Sequence, residues 1–287
     1  MIKELLHITT SDNVKVALWK IKPKTGVTSK HVFLTHGTFS NKKVLLGIAS
    51  YLVEKGHTCW LMEWRNHGNS SKTKQKFNFE TIAKLDVPAV FNYLFEKEKI
   101  KKLDCITHSG GGIVLSMFLI KNPSYISKID TITLFGCQVC GAATSFKNRF
   151  IIKLGKSASK IIDFFPAKTI GSSEHNESYY TMKQWFDWNL DRNFYGENQF
   201  NYGNKLAKIT IPILSVCAKG DVFIAPKKGC ESFLDSFQNS ENKLLYCAKE
   251  KGFLEDYTHG RMILSKNAKK EIYPIVLDWI KKFEVSR

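Results

Sequence analysis

The chain has 287 residues, of which 43% are hydrophobic and 24% charged, a balance typical of a globular protein. One α/β domain can reach this length, so the length does not require two domains. The longest apolar stretches, such as 113–120, are far shorter than the roughly 20 residues of a membrane-spanning helix. The first ten residues contain no apolar segment before a small-residue cleavage site, so no secretory signal is expected.

The net charge is +17, from 43 lysines and arginines against 26 acidic residues. The lysines are spread along the whole chain and no nucleic-acid-binding motif is present, so no nucleic-acid partner is expected. A basic surface can steer anionic substrates or weakly attract an anionic membrane. It can equally reflect a lysine-rich genome, so the charge identifies no partner, and the sequence does not indicate an oligomeric state.

The chain has seven cysteines, an odd number, and four of them lie in strand-like apolar runs. This predicts buried, reduced thiols in a cytoplasmic protein. Cys137 and Cys140 have the C-x-x-C spacing, but no second pair completes a zinc site and no thioredoxin-like start surrounds them. No other cluster has metal-ligand spacing, so neither a metal nor a cofactor is expected.

Short β-branched runs alternate with amphipathic segments, a pattern that predicts an α/β fold with a mostly parallel central sheet flanked by helices. Residues 4–21 are predicted to form a β-hairpin that turns at 11–13. In chain order, the next predicted elements are strand 31–35, helix 42–54, strand 58–63, helix 79–95, strand 103–107, helix 111–120, strand 131–135, strand 210–216, helix 226–237, strand 243–247 and helix 268–283.

Residues 138–206 interrupt this alternation and are predicted to be a cap inserted into a core domain of residues 1–137 and 207–287. Thirteen aromatic residues lie between positions 146 and 202, nearly twice the density of the whole chain. They can form a small helical core, line an apolar pocket, or do both. Trp185 and Trp188 are three apart on a helix and share a face, whereas Phe186 need not join them.

The strongest local signal is the segment Asp104–Ile113, Asp-Cys-Ile-Thr-His-Ser-Gly-Gly-Gly-Ile. An apolar strand leads into Ser109 and an apolar helix follows the glycines, which is the strand–turn–helix context of a nucleophile elbow. Residues two away from the serine must be small. Gly111 meets this requirement, but Thr107 stands where glycine is usual. A glycine-rich helix start or a phosphate-binding turn remains possible, although the P-loop lysine is missing.

A serine hydroxyl needs a base within hydrogen-bond reach, and the base needs an orienting acid. Asp221 follows the apolar strand 210–216, and His259 lies in a loop before the last helix. Both fall at carboxyl ends of predicted strands, where such sheets bind ligands, and the order Ser, Asp, His is the order this architecture uses. Glu255 and Asp256 are alternative acids, although a loop carboxylate beside the histidine is usually solvated.

An oxyanion intermediate needs two main-chain N–H groups aimed at it. Gly110, the residue after the nucleophile, is one predicted donor. Thr38 is the other, in the loop His36-Gly-Thr38 after the first central strand. The candidate substrate-pocket residues are His108, Phe39, Trp185 and Trp188.

With these motifs the sequence resembles the α/β-hydrolase superfamily, in its capped esterase and lipase-like branch, over nearly the whole chain. The resemblance rests on His36-Gly37, Arg65–Ser70, Thr107–Gly111, Gly220-Asp221 and His259-Gly260. It implies that 65–70 is the loop after the second parallel strand, usually Arg-Gly-x-Gly-x-Ser, with Asn66 in place of the first glycine. It also implies a variable cap after the sixth strand, which matches 138–206.

Other polar residues have simpler interpretations. His67 and His108 flank the site and could contact substrate, but packing is the expected role. Asp86 is expected to support a helix turn, and His175 to lie on the surface of the cap.

The predicted reaction is hydrolysis of carboxylic esters with an apolar acyl chain through a Ser109–His259–Asp221 acyl-enzyme mechanism. Monoacylglycerols, lysophospholipids, thioesters and acyl-homoserine lactones are open to the same chemistry. An aminopeptidase would need an acidic pair, for which Glu174 and Glu177 are candidates. A non-catalytic ligand receptor on the same fold is the alternative from another class.

Overall fold

The computed structural model describes residues 1–26, 28–162, 164–165 and 176–283, which form one large sheet between layers of helices. The strands are β1 (Ile2–Thr9), β2 (Lys15–Lys22), β3 (His31–Thr35), β4 (Thr58–Glu63), β5 (Leu103–His108), β6 (Ile129–Phe135), β7 (Phe164–Phe165), β8 (Glu177–Ser178), β9 (Ile213–Ala218) and β10 (Lys243–Cys247). Eight of them form the central sheet in the order β1-β2-β4-β3-β5-β6-β9-β10, and β7 pairs with β8 separately.

The central sheet is parallel from β4 to β10, and only β2 runs against the other strands. β3 and β5 are hydrogen-bonded neighbours, with Thr35 opposite Thr107 at their carboxyl ends. The loops that follow these two strands therefore leave the sheet side by side. This neighbourhood brings the two halves of the predicted catalytic site together.

The helices are α1 (Lys43–Glu54), α2 (Phe79–Thr81), α3 (Val87–Asn92), α4 (Gly110–Lys121), α5 (Phe146–Ile162), α6 (Tyr179–Asp191), α7 (Lys227–Asp235), α8 (Arg261–Leu264) and α9 (Lys266–Lys282). α1, α8 and α9 cover one face of the sheet in a single apolar cluster. α3, α4 and α7 cover the other face in a larger cluster. The buried faces supply most of the stabilisation, at about 25 cal/mol for each Å² of apolar area.

The mostly parallel sheet predicted from the sequence is confirmed, and three strands (31–35, 58–63 and 243–247) have the predicted bounds. The predicted strand at 210 begins only at Ile213, because Pro212 has no N–H to donate to a ladder. The predicted helix 79–95 extends to Lys97, and π-helical turns at Ile82–Asp86 and Tyr93–Lys97 interrupt it.

Between β6 and β9 the chain leaves the sheet and forms α5, α6 and the small β7–β8 pair. α5 packs against α6, and both lie over the carboxyl ends of the strands, where they help to enclose a cavity. Within the described part of the chain, no helix is both long and apolar enough to cross a membrane.

Candidate active site

Ser109 stands at the sharp turn between β5 and α4, with φ +53° and ψ −127°. A non-glycine residue in such a conformation is strained, typically by about 1–3 kcal/mol, and persists only where its surroundings fix it. Its main-chain N–H donates to the carbonyl of Phe135 on β6 at 2.8 Å. The strained turn directs the serine into the cavity beneath the inserted helices.

Glycines allow the neighbouring backbones to approach this turn. A Cβ placed on Gly37 would lie 2.7 Å from Ser109 Cβ and 2.8 Å from the main-chain nitrogen of Gly110. A Cβ on Gly111 would lie 2.7 Å from the carbonyl oxygen of His36. The loop after β3 therefore lies directly against the serine turn, which is the arrangement expected of an oxyanion-binding loop.

Thr107, the departure from the usual glycine, is fully buried. Its Oγ1 would lie 3.0 Å from a Cβ placed on Gly112 in the first turn of α4. That same Cβ would lie 2.6 Å from Cys137 Sγ. The third glycine of the motif thus makes room both for the threonine side chain on the preceding strand and for a neighbouring thiol.

Asp221 and His259 are brought together by two loops that pack on each other. The main-chain N–H of Gly220 donates to the carbonyl of Tyr257 at 2.8 Å, and a Cβ on Gly220 would lie 2.8 Å from that carbonyl oxygen. His259 Nδ1 lies 2.5 Å from Asp221 Oδ2. Asp221 and His259 are therefore in contact although 38 positions separate them in the sequence.

The environment of Asp221 favours its charged form. The side chain is buried, which opposes ionisation. The hydrogen bond and charge of His259 outweigh this, helped by the N–H groups of Ala225 at 3.0 Å and Ile224 at 3.2 Å, which donate to Oδ1. These contacts hold the pKa of Asp221 below its ordinary value, so the carboxylate is negative at neutral pH.

Ser109 and His259 line the same cavity. Among the described residues, no hydrogen bond joins the serine hydroxyl to the His259 ring. Catalytic hydrogen bonds are often long before substrate binds and tighten in the complex. Because His259 Nδ1 is engaged by Asp221, Nε2 is the ring nitrogen left for proton transfer.

His108 contacts His259 through both its ring and its Nε2 atom. Its Nε2 donates to the main-chain carbonyl of His259 at 3.2 Å, and the two ring centroids are 4.7 Å apart. Burial, together with the proximity of His259, lowers the pKa of His108 to about 3. The ring is therefore neutral, with its proton on Nε2. His108 also lines the cavity, as the sequence predicts for a pocket residue.

The alternative acids are engaged elsewhere. Glu255 accepts from Arg261 Nε at 2.6 Å and from Asn267 Nδ2 at 3.1 Å. Asp256 accepts from the main-chain N–H of Lys249 at 2.9 Å. Of the three carboxylates considered for this role, Asp221 is the one that contacts His259.

The cavity has a volume of about 700 Å³, within the range of roughly 300–1,000 Å³ that is typical of small-molecule sites. Its polar lining residues include Thr38, Ser40, Asn41, Lys43, His108, Ser109 and His259. The walls are otherwise mainly apolar, and include Phe39, Val44, Phe79, Ile151, Ile152, Met182, Trp185, Phe186, Phe223, Ile224 and Leu264. Thr38 and Gly110, the predicted oxyanion donors, line the same cavity as Ser109.

Trp188 does not line the cavity, so the prediction that it is a pocket residue is corrected. It is 1% exposed, packs on Phe79 and Phe194, and donates from Nε1 to the carbonyl of Tyr195 at 2.6 Å. The cavity instead meets Trp185 and Phe186. The spacing of the two tryptophans shows that they share a helix face, but it does not show which flank of that face points inward.

Two residues near the site make contacts that the sequence did not predict, although Glu177 was a candidate for an amine-binding acidic pair. Gly136, with φ +56°, follows β6, and a Cβ placed on it would lie 2.9 Å from His259 Nδ1. The sequence signal was available, since a glycine directly follows a central strand. Glu177 is the second. It is 1% exposed and accepts from the main-chain N–H of Phe39 at 3.3 Å.

Glu177 Oε2 also lies 3.2 Å from His67 Nε2, and Oε1 accepts from the N–H of Ser178 at 2.9 Å. Burial opposes the charged form of His67, but the charge and hydrogen bond of Glu177 outweigh it and raise the pKa of His67. Glu177 is thus committed to these contacts. Glu174, its partner in the predicted acidic pair, and His175 lie outside the described residues.

The loop 65–70 is built around a buried ion pair. Arg65 Nε donates to Asp86 Oδ1 at 2.8 Å, and Arg65 Nη1 donates to Asp12 Oδ2 at 2.7 Å. Asn66 occupies the place of the usual glycine with φ +64°, a conformation that asparagine tolerates better than most residues. The substitution is therefore compatible with the turn.

All seven cysteines are free thiols, and six of them are buried. Burial raises the pKa of Cys140 to about 11 and that of Cys137 further still. Both therefore stay protonated at neutral pH. Among the residues that the structure describes, no three His, Cys, Asp or Glu side chains are grouped so that they could hold a metal ion.

Comparison with known proteins supports the same architecture. A sequence profile described as the alpha/beta hydrolase fold matches residues 30–138, from the start of β3 to just beyond β6. An esterase from Exiguobacterium antarcticum superposes with a TM-score of 0.68, covering 96% of this chain and 98% of its own, at 16% identity. The chain therefore has the α/β-hydrolase fold, and residues 30–138 match that family in sequence.

Two further proteins are similar to this chain, one in structure and one in sequence. A monoacylglycerol lipase from Paleococcus ferrophilus superposes with a TM-score of 0.65 at 14% identity, covering 93% of this chain and 99% of its own. In sequence, Lipase 3 of Drosophila melanogaster is 29% identical over 151 residues, 45% of this chain. That match spans only 38% of the lipase. The structural likenesses, all at low identity, show the α/β-hydrolase fold.

Proposed function

We propose that this α/β hydrolase cleaves carboxylic esters with an apolar acyl chain, with Ser109 as nucleophile, His259 as base and Asp221 as acid. The observation that carries the proposal is the contact of His259 Nδ1 with Asp221 Oδ2 at 2.5 Å, because His259 lines the same cavity as the strained Ser109. A bound, oriented imidazole beside a serine is the arrangement that acyl transfer requires.

In the first half of the reaction, His259 Nε2 accepts the hydroxyl proton while Ser109 Oγ attacks the ester carbonyl carbon. The imidazolium that forms is stabilised by the negative Asp221. It then gives its proton to the leaving alcohol oxygen as the C–O bond breaks, which leaves an acyl-serine. In the second half, water loses a proton to His259 and attacks the acyl-serine, and Ser109 recovers its proton as the acid leaves.

The negative oxygen that develops on the ester carbonyl needs donors. The main-chain N–H groups of Gly110 and Thr38 are assigned this role, because Gly110 follows Ser109 in the chain and Thr38 lines the same cavity. Each such donor typically contributes about 3 kcal/mol of transition-state stabilisation. The close contact of Gly37 with the serine turn brings the Thr38 loop within reach.

The apolar walls favour an acyl chain over a charged substrate. Each methylene that such a wall removes from water contributes about 0.8 kcal/mol. The relatives named above are an esterase, a lipase and a monoacylglycerol lipase, which agrees with an ester of this kind. An amine-binding acidic pair finds no support, since Glu177 is buried against His67 and Phe39.

The test is labelling with a fluorophosphonate probe alongside turnover of p-nitrophenyl esters of graded chain length. Ser109→Ala should abolish labelling and lower kcat by about 10⁴-fold or more. Ser40→Ala is the matched control, because Ser40 lines the same cavity but is given no chemical role, and it should keep both. Asp221→Asn should lower kcat by about 10⁴-fold, while Asp256→Asn should have little effect.

Labelling that persists in Ser109→Ala would show that another nucleophile is present. An unlabelled wild-type protein that turns over no ester of the series, but binds apolar ligands, would favour the receptor alternative. Turnover of thioesters or lactones in preference to every ester would retain the triad and change the substrate class.

A further inference from the structure

Helix α5 exposes a row of large apolar side chains. Phe146 is 88% exposed, Phe150 55%, Leu154 55% and Ile161 84%. Their spacing of four, four and seven residues places them on one face of the helix. A helix on the surface of a globular protein normally presents polar residues to water, so this row is unusual.

The opposite face of α5 is buried and fixes the helix to the protein. Ile152 is 1% exposed and Ser159 is fully buried. Ile152 packs in one apolar cluster with Met182 and Phe186 of α6. The exposed row therefore faces away from the molecule on a helix that is anchored along its other side.

The charged residues of α5 are all basic. The helix contains no aspartate or glutamate and has five cations, Lys147, Arg149, Lys153, Lys156 and Lys160. At 100° per residue, Lys147 lies on one flank of the apolar row. The other flank is formed by Arg149, Lys153, Lys156 and Lys160. In the described part of the chain, Lys156 alone among the five takes part in a salt bridge, with Asp187.

The same helix borders the opening of the catalytic cavity. Ile151, next to the exposed row, is 43% exposed and also lines the cavity. Two further cavity residues from the core domain are similarly exposed, Leu264 at 58% and Ile224 at 39%. Apolar side chains thus extend from the cavity wall onto the outer surface beside α5.

We propose that α5 binds the surface of an anionic lipid bilayer. The apolar row inserts among the acyl chains, and the flanking cations lie at the phosphate headgroups, as in other amphipathic helices that lie in the membrane plane. The cavity opening then faces the lipid, so that an acyl substrate can enter without crossing water. This last step rests on the proposed ester hydrolysis, whereas the binding itself does not.

The positive charge of α5 favours an anionic bilayer over a second copy of the chain as its partner. Two copies packed through α5 would bring two sets of five cations together, on proteins that each carry a net charge of +17. A bilayer containing anionic lipid instead offers the opposite charge next to an apolar interior. Self-association through α5 is therefore an outcome that would contradict the proposal.

The experiment is vesicle flotation of the full chain, with phosphatidylcholine vesicles prepared with and without phosphatidylglycerol. The wild-type protein should bind the anionic vesicles at least about tenfold more tightly than the neutral ones, and added salt should weaken the binding. Phe150→Ser combined with Leu154→Ser should weaken binding to the anionic vesicles on the order of tenfold or more. Lys153→Gln combined with Lys160→Gln should weaken it by up to about fivefold for each lysine.

Two control variants match these changes at the opposite, amino-terminal edge of the sheet. Ile2 is 43% exposed at the start of β1, and Lys3 of β1 and Lys101, which precedes β5, are also exposed. Ile2→Ser, and Lys3→Gln combined with Lys101→Gln, should leave binding within about twofold of wild type. The α5 variants should keep the melting temperature and the turnover of a short soluble ester, because none of the four positions lines the cavity.

Three results would overturn the proposal. One is equal binding to neutral and anionic vesicles, and another is equal loss of binding in the α5 and control variants. The third is a wild-type dimer in solution that the Phe150→Ser and Leu154→Ser changes convert to monomer, without vesicle binding by either. Loss of ester turnover in Ser109→Ala with vesicle binding retained would leave both proposals standing. A wild-type protein that binds vesicles but hydrolyses no ester would remove the proposed function alone.

Discussion

The carboxylate of Glu177, in the inserted segment, accepts a hydrogen bond from the main-chain N–H of Phe39, in the loop that carries the assigned oxyanion donor Thr38. Phe39 has φ +61°, a conformation that is uncommon for an aromatic residue. A buried carboxylate bound to a strained residue next to Thr38 ties the inserted segment to the loop. Glu177 is therefore expected to act as a positioning residue.

Glu177→Gln tests this role. Glutamine has one side-chain oxygen and one NH₂ group in place of the two carboxylate oxygens. Where Glu177 Oε2 now accepts from Phe39 N–H and contacts His67, the variant presents N–H, so a buried donor loses its acceptor. We expect a loss of about 1–3 kcal/mol in the free energy of unfolding and a fall in kcat of about tenfold or more, with a smaller change in KM. His67 should also become easier to deprotonate, which NMR titration would detect, because Glu177 raises its pKa.

The matched control is Glu255→Gln, which removes a carboxylate that is bound to Arg261 and Asn267. It should leave kcat near the wild-type value. If Glu177→Gln loses stability but keeps kcat, Glu177 has a purely structural role.

Gly37→Ala should disable the site without removing a catalytic atom. The new methyl group would lie 2.7 Å from Ser109 Cβ and 2.8 Å from Gly110 N, closer than real Cβ atoms approach, so the backbone must shift. Misplacement of reacting groups by about 1 Å can reduce the rate about 10²-fold. Steady-state kinetics on a short ester measures the effect. Gly203→Ala, whose nearest neighbour would be the Asn201 side chain at 3.2 Å, should change the rate little.

Trp185 and Trp188 should respond differently to truncation, because only the first lines the cavity. Trp185→Ala should change the preference for octanoate over butyrate by roughly tenfold or more, with acetate turnover near normal. Trp188→Ala should reduce the free energy of unfolding by about 3–5 kcal/mol and lower all rates together as the protein melts earlier. Equal and parallel effects of the two changes would contradict the assignment of Trp185 to the acyl pocket.

Acidification should destabilise the protein through His108. Its pKa is about 3 in the folded state and near 6.5 when unfolded, so between these values the unfolded chain binds a proton that the folded chain does not. Stability therefore falls as the pH drops from about 6.5 towards 3, by about 1.4 kcal/mol for each pH unit at most. Asp104 acts in the opposite direction, because burial raises its pKa to about 6.

The measurement is urea unfolding of wild type and His108→Asn from about pH 7 down to about pH 4. Asparagine retains an N–H donor for the carbonyl of His259 but does not titrate. The variant should lose stability less steeply with acid, whereas His7→Asn, which changes an exposed histidine, should follow the wild-type curve. Parallel curves for wild type and His108→Asn would show that His108 does not contribute to the acid response.

Much of the fold follows from local sequence. The central strands are apolar runs bounded by turn residues, and the position of Ser109 between such a run and three glycines determines the strained turn. The meeting of Asp221 with His259 was expected because both follow parallel strands. The contacts of Glu177 could not be predicted, since its partners His67 and Phe39 are 110 and 138 residues away in the chain. Helical periodicity likewise could not show which side of α6 faces the cavity.

The fit of Thr107 against Gly112 bears on how such sites are recognised and engineered. Space at the turn is shared between two positions, one on the strand and one on the helix, so a pattern that demands glycine before the serine would pass over this chain. Thr107→Gly leaves the space of the threonine side chain unfilled. Gly112→Ala would place a methyl group 2.6 Å from Cys137 Sγ and 2.8 Å from Leu134 Cδ2 as well as against Thr107, so Thr107→Gly relieves only part of that crowding. Relatives with a larger residue at the helix position are expected to carry smaller residues at the positions of both Thr107 and Cys137.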